Sequence, residues 1–253
     1  MTSPLSYRIQ RAREVDLETL QCLHRLRLAQ FPFREPSTQK ESAMWREFQH
    51  SYRQNHAWSV VFYDGKGVPR GFWLAVSEKT RAPARKGMLL RVDYSYTDPG
   101  WRGSSALIVS TLAVLLRVKL QAPLLPLLFG CICFPNSFVR VAATFRGVRT
   151  LADSTLAAAD KALLEQLGAD AAGARWQAAA GLADFSDHHP PALARSIADT
   201  PRLARHLSRY EAANPAWRQG LSMPIFCEIG LATASQGIWH SLRRVLRRKR
   251  KRR

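Results

Sequence analysis

The stretch RVDYSYTDPGWRGSSALIVSTLAVLLR, residues 91–117, decides how this chain is read. It opens with apolar and polar residues in alternation, the two-residue period of a half-buried strand. Asp98-Pro99-Gly100 breaks the alternation, and small residues around Gly103, Ser104 and Ser105 lead into a long apolar segment of helical character. A strand that feeds a helix through so small a corner exposes free backbone N–H groups at the positive end of the helix dipole. That makes a site for an anion such as phosphate. An ordinary tight turn is the simpler account of the corner taken alone, so the rest of the chain has to decide.

Upstream, SYRIQRA reads as a short edge strand. EVDLETLQCLHRLRLAQF follows, with Val15, Leu17, Leu20, Leu23, Leu26 and Leu28 near helical spacing. SAMWREFQHSYRQN is a second helix, with Met44, Trp45, Phe48 and Tyr52 on one side. AWSVVFYDGKGVPRGFWLAVSEK is a hairpin turned by Asp64-Gly65-Lys66-Gly67, and GMLLRVDYSYT is the next strand. Downstream, APLLPLLFGCICF is a buried strand by its continuous apolar run, and NSFVRVAATFRGV a short helix started by Asn136 or Ser137. The order is strand, helix, helix, three strands, helix, strand, helix, which is an α/β pattern. The strands on either side of the helix that begins near Ser105 are expected to be parallel neighbours.

After about residue 150 the composition shifts. TLADSTLAAADKALLEQLGADAAGARWQAAAGLADF is Ala- and Leu-rich and reads as helical, SDHHPP as a break, ALARSIADTPRLARHLSRYEAA as helix broken at Thr200-Pro201, and NPAWRQGLSMPIFCEIGLA as a turn and final strand. The expected organisation is a core over 1–150, a helix-rich extension over 151–237 packed on it, and a basic amphipathic tail over 238–253.

The formal net charge is +19, and residues 238–253 hold nine Lys or Arg and no acid. Removing those nine leaves +10 on the first 237 residues, so the body is basic too and an anionic partner or substrate is expected. Ile238, Trp239, Leu242, Val245 and Leu246 share one helical face of the tail, which fits a helix lying on an anionic membrane surface. A solvated charged end is the plainer alternative. Nucleic acid is the competing surface, but the basic run holds no recognition motif and no interleaved aromatics. Cysteines 22, 131, 133 and 227 form no Cys-x-x-Cys pair and no disulfide framework, which suggests a reducing compartment. The N-terminus lacks a signal-peptide core, and no apolar run approaches the about 18–20 residues of a membrane span. A cytoplasmic protein is expected, peripheral to the inner face of the membrane if the tail anchors it. Asp187-His188-His189 invites a metal reading, but Pro190 and Pro191 beside it indicate a loop, and no metal is expected.

Residues 7 to about 150 resemble the GNAT superfamily of acyl-CoA-dependent N-acyltransferases. YRIQRAREVDLETLQCL is similar to the family's opening strand and first helix. TDPGWRGSSALIVSTLAVLL is similar to its pyrophosphate motif, and NSFVRVAATFRGV to the later motif in which an Asn opens a helix beside the CoA arm. The resemblance implies a mixed sheet whose central parallel strands splay apart, flanked by helices. The donor would be an acyl thioester, of CoA or of an acyl-carrier protein, and a primary amine on a small molecule or peptide would attack it directly. Backbone N–H groups around Trp101, Arg102, Gly103, Ser104 and Ser105 would hold the pyrophosphate, with Arg102 adding charge, and Asn136 would sit near the pantetheine or leaving thiol. Asp93, on the strand before the turn, would be the base; Tyr94 or Tyr96 would protonate the thiolate. Two departures stand out. Ser105 replaces the usual glycine, and Phe145 stands where the family often has a proton-donating tyrosine. A non-catalytic basic module on the same fold, binding membrane or nucleic acid, is the alternative that these departures favour.

Overall fold

The computed structural model describes residues 5–81, 85–101, 105–194, 197 and 199–230. The tail over 238–253 and the turn residues Arg102, Gly103 and Ser104 lie outside the described residues.

The first half follows its local signals. β1 (Ser6–Arg11) leads to α1 (Leu17–Gln30), which Asp16 caps by accepting the Thr19 N–H at 2.7 Å. Ser37 does the same for α2 (Thr38–Arg53) by accepting from Lys40. β2 (Ala57–Tyr63) and β3 (Pro69–Lys79) form the hairpin, and the Asp64 carboxylate closes its turn by accepting from the Lys66 and Val68 amides at 2.8 and 3.0 Å. β4 (Met88–Thr97), α3 (Ser105–Gln121), β5 (Leu127–Cys133) and α4 (Pro135–Thr144) complete this half in the expected order. α4 starts with Pro135 at its first position, and no side chain caps it. Asn136 and Ser137 therefore do not start the helix as the sequence suggests. α1 also differs from its pattern, because Leu17 is exposed while Leu20, Leu23, His24 and Arg27 form the buried side.

The second half is less helical than its composition implies. β6 (Arg149–Thr150) precedes α5 (Ala158–Ala172), which Gly173 ends with φ +55°. The alanine-rich residues that follow form a hairpin, β7 (Trp176–Gln177) and β8 (Leu182–Asp184), rather than helix. α6 (Pro201–Ala213) starts at the Thr200-Pro201 break, and β9 (Leu221–Glu228) is the final strand.

One nine-stranded sheet runs β1-β2-β3-β4-β5-β9-β8-β7, with β6 also paired to β9. Among the described residues only β4 and β5 pair in parallel; every other pairing is antiparallel. The fold is therefore the mixed α/β sheet that the sequence implies. The face under α3, α4 and α6 holds the largest buried cluster, including Trp73, Leu90, Val114, Phe129, Phe138 and Tyr210. The opposite face is divided between α1 and α2, over Phe48, Val61, Phe72 and Leu74, and α5, over Leu89, Leu128 and Phe226.

Candidate active site

The parallel register between β4 and β5 ends at Val92 and Cys131. Both strands continue, β4 to Thr97 and β5 to Cys133. From Asp93 onward β4 keeps β3 on one side and has no strand partner on the other among the described residues. A gap thus opens at the carboxyl ends of two parallel strands, where sheets of this class tend to accept ligands. On its other edge β5 stays paired with β9 as far as Cys133–Met223. The α6 residue Tyr210 adds a second hold by donating its hydroxyl to Cys133 O at 2.9 Å.

Asp93 sits at a bulge. Ala75 pairs with Val92 and Leu74 with Tyr94, so Asp93 is the extra residue. The bulge resets the alternation. Leu90 and Val92 face the α3 side, while beyond the bulge Tyr94 and Tyr96 face α1 and α2. Without it the two tyrosines would lie under α3. The Asp93 carboxylate takes Arg91 Nε at 2.7 Å and Nη2 at 3.4 Å, and Arg91 Nη1 also reaches Glu78 at 2.9 Å. Burial pushes the Asp93 carboxyl above the usual carboxylate range, against the pull of Arg91.

Tyr94 and Tyr96 flank a second buried cation. Arg27 stands 4.4 Å from the Tyr94 ring centroid and is hydrogen-bonded to Tyr96. The Tyr94 hydroxyl donates to Glu47 Oε1 at 2.8 Å, and Arg27 Nη2 lies 3.5 Å from the same oxygen. Burial raises both tyrosine pKa values, so each hydroxyl keeps its proton at neutral pH. Glu47, on α2, is 56% exposed at its side chain and lines a cavity of about 150 Å³ with Phe33, Lys40, Met44, Arg175 and Asp187. A cavity of about 280 Å³ beside it shares Arg175 and Asp187 and adds Gln177 and Asp184. Nothing in the sequence points to Glu47, because it looks like any other polar position of an amphipathic helix.

Asn136 donates to Ala192 O at 2.8 Å and accepts the Ala194 N–H at 3.0 Å, so it ties α4 to the later segment. Phe145 is buried against Phe129, with ring centroids 5.5 Å apart. Trp101 ends a short 3-10 turn (Pro99–Trp101); its N–H goes to Asp98 O at 2.9 Å, and the Gly100 N–H goes to the Asp98 side chain. Ser105 is the first residue of α3. The structure therefore brings Asp93, Tyr94 and Tyr96 to the edge of the gap. It uses the Trp101 amide and the Asn136 side chain for local structure. His188 is stacked between Phe31 and Phe33 with Nδ1 3.0 Å from Phe31 O. Among the described residues no group of three or more His, Cys, Asp or Glu is placed to hold a metal.

No family model and no curated protein matches the sequence. Solved structures to which the chain is similar include a probable N-acyltransferase of unknown function from Enterococcus faecalis V583, at 17% identity over 54% of this chain and 31% of that one, TM-score 0.39. The chain thus spans about a third of that protein's length. ElaA of Escherichia coli is similar at 10% identity over 59% of this chain and 90% of its own, TM-score 0.39. The spermidine N-acetyltransferase of Vibrio cholerae, solved with CoA and spermine, is similar at 13% identity over 58% and 81%, TM-score 0.37.

Proposed function

We propose that the chain is an N-acyltransferase that moves an acyl group from a thioester, of CoA or of an acyl-carrier protein, to a primary amine. The gap that opens between β4 and β5 beyond Val92 and Cys131 carries this reading. A thioester arm laid there meets a strand edge, and the corner from Trp101 to Ser105 leads into α3 at the same end of β4. Arg102 and the amides of Gly103, Ser104 and Ser105 supply the anion site in this reading.

The amine enters from the α1/α2 side, through the cavity that Glu47 lines. An ammonium cannot attack a carbonyl, so a base must take its proton first, a contribution of about 10² to 10⁴ in rate. Glu47 suits that role better than Asp93: its carboxylate faces a cavity, whereas both Asp93 oxygens are engaged by Arg91. Tyr94 holds Glu47 in place and, still protonated, would give its proton to the departing thiolate. The C–N bond forms as the C–S bond breaks, with no covalent enzyme intermediate. Residues 238–253 add a basic amphipathic segment suited to an anionic membrane surface.

The test is a thermal-shift series with CoA, acetyl-CoA and a long-chain acyl-CoA. A donor at 100 times its Kd adds about 2.7 kcal/mol to stability. Arg102→Ala should shrink that shift. No shift with any of the three, together with no transfer from an acylated carrier protein to an amine, would sink the proposal.

A further inference from the structure

α3 buries Val114, Leu115 and Val118 against the sheet. The outer side of a helix packed this way is ordinarily polar. Here Val109, Leu116 and Leu120 recur at helical spacing with 46%, 60% and 69% exposure, and Leu124, in the turn that follows, is 95% exposed. Only three other large apolar side chains among the described residues are exposed at all, and one of them, Tyr7, lies on β1, the edge strand against which α3 packs. Single exposed leucines need no explanation, but a row of them marks a contact surface.

The charge around the row has one sign. β1, α3 and residues 122–126 contain Arg8, Arg11, Arg117 and Lys119 and no acid. Arg11 and Arg117 both lie over the Trp58 ring, at 3.9 and 5.8 Å, so cations border the stripe. Glu14, just past β1, accepts from the Arg11 N–H, and Glu228 is paired with Arg85 at 2.8 Å. The chain also leaves the described structure here. Ile229 donates its N–H to Leu127 O at 2.7 Å, three residues along the chain from Leu124, and the residues beyond Gly230 hold nine cations and no acid.

We propose that this face of α3, with Leu124, is the surface by which the protein lies on an anionic lipid membrane. Leu116, Leu120 and Leu124 enter the acyl boundary, while Arg117 and Lys119 beside them meet the headgroups. A second copy docked here would set the same cations against each other. The protein's own tail would bring nine more cations onto a rim already cationic. Anionic lipid satisfies both the apolar row and its border. The inference does not rest on acyl transfer.

The experiment uses the full chain with vesicles of phosphatidylcholine containing phosphatidylserine, against vesicles of phosphatidylcholine alone. The protein should sediment with the anionic vesicles only, and less so as salt rises. The triple variant Leu116→Gln/Leu120→Gln/Leu124→Gln should melt like wild type and bind at least about tenfold more weakly. A chain ending at Gly230 should bind more weakly than the full chain, and more weakly still with the triple change. If the triple variant fails to fold, Leu124→Gln alone and a Leu120→Trp reporter replace it, the reporter's emission shifting to the blue when anionic vesicles are added. The proposal is overturned if these variants bind as wild type does, or if the leucine changes dissociate a dimer. It is equally overturned if the Trp reporter is already shielded without vesicles, which would mean that the tail or a second copy covers the row.

Discussion

Glu47 and Asp93 are carboxylates near the diverging end of β4 in opposite situations. Glu47 keeps Tyr94 and Arg27 as partners while facing a cavity; Asp93 is enclosed with Arg91. Glu47→Gln preserves an acceptor oxygen for Tyr94, but it removes both the capacity to take a proton and the charge facing buried Arg27 at 3.5 Å. It should lower kcat for amine acylation by about 10²-fold or more and leave the donor-induced thermal shift unchanged, with a smaller loss of stability than Asp93→Asn because the Glu47 side chain is 56% exposed. Asp93→Asn should do the reverse, costing about 1–3 kcal/mol of stability because a buried guanidinium loses a charged acceptor. Urea melts and steady-state rates on both variants decide the matter; a Glu47→Gln enzyme at full activity, or an Asp93→Asn protein that is stable but inactive, would return the base to Asp93. His24 gives a pH signature. Burial, with Arg27 nearby, lowers its pKa from the ordinary 6.5 of a solvated histidine to about 4. The unfolded chain therefore takes a proton that the folded chain refuses, so stability should be level above pH 6.5 and fall between about 6.5 and 4. Buried His188 shifts in the same direction. His24→Phe should flatten part of that fall in urea midpoints measured across the range. The family resemblance pointed to Asp93, Tyr94 and Tyr96, which lie on the strand that runs into the small-residue corner. It could not show that Arg91 takes up Asp93, nor that α2 brings Glu47 to Tyr94, since both depend on contacts between elements.

At the scale of elements, the strand and helix order up to α4 was readable because apolar period and turn residues agree along that half. Two features were not. The bulge at Asp93 exists only relative to the register of β3, and a single strand's sequence carries no register. The β7–β8 hairpin hides in an alanine-rich run whose composition favours helix, and only the positive φ of Gly173 and Gly181 reveals where the helix must stop. The fit of α5 on β5 yields a prediction of its own. Gly130 lies on β5 beneath α5, and a Cβ there would overlap Leu167 Cδ1, with Leu89 close by. Gly130→Ala should therefore cost about 1–3 kcal/mol by overpacking, and Leu167→Ala about 2–5 kcal/mol by opening a cavity. Because the added methyl occupies part of that cavity, the double variant should lose less than the sum. Independent, additive losses in urea unfolding would mean that the α5–β5 contact is looser than this overlap implies.

For the whole molecule, the sequence suggested a core ending near residue 150 with an extension laid upon it. In the structure β9 pairs with β5 from Leu128 to Cys133, and Met223, Ile225 and Cys227 belong to the cluster that also contains Trp73, Leu90 and Phe138. α6 contributes Tyr210 to that cluster and to the end of β5. Asn136 binds residues 192 and 194 across the same junction. The long-range pairing of a final strand with a middle one cannot be read from local pattern, which is why the division looked natural along the chain. Its energetic meaning is direct. A chain ending at residue 150 would leave the β5 edge unpaired, with Phe129, Cys131 and Cys133 losing the neighbours that bury them, and an open apolar edge of this kind invites association. Residues 1–150 expressed alone should therefore be insoluble or melt without a cooperative transition, and co-expression with residues 151–253 should recover a soluble complex. A 1–150 fragment that stays monomeric and melts cooperatively near the temperature of the full chain would show that the sheet closes at β5, and that the later strands are an addition to a finished core.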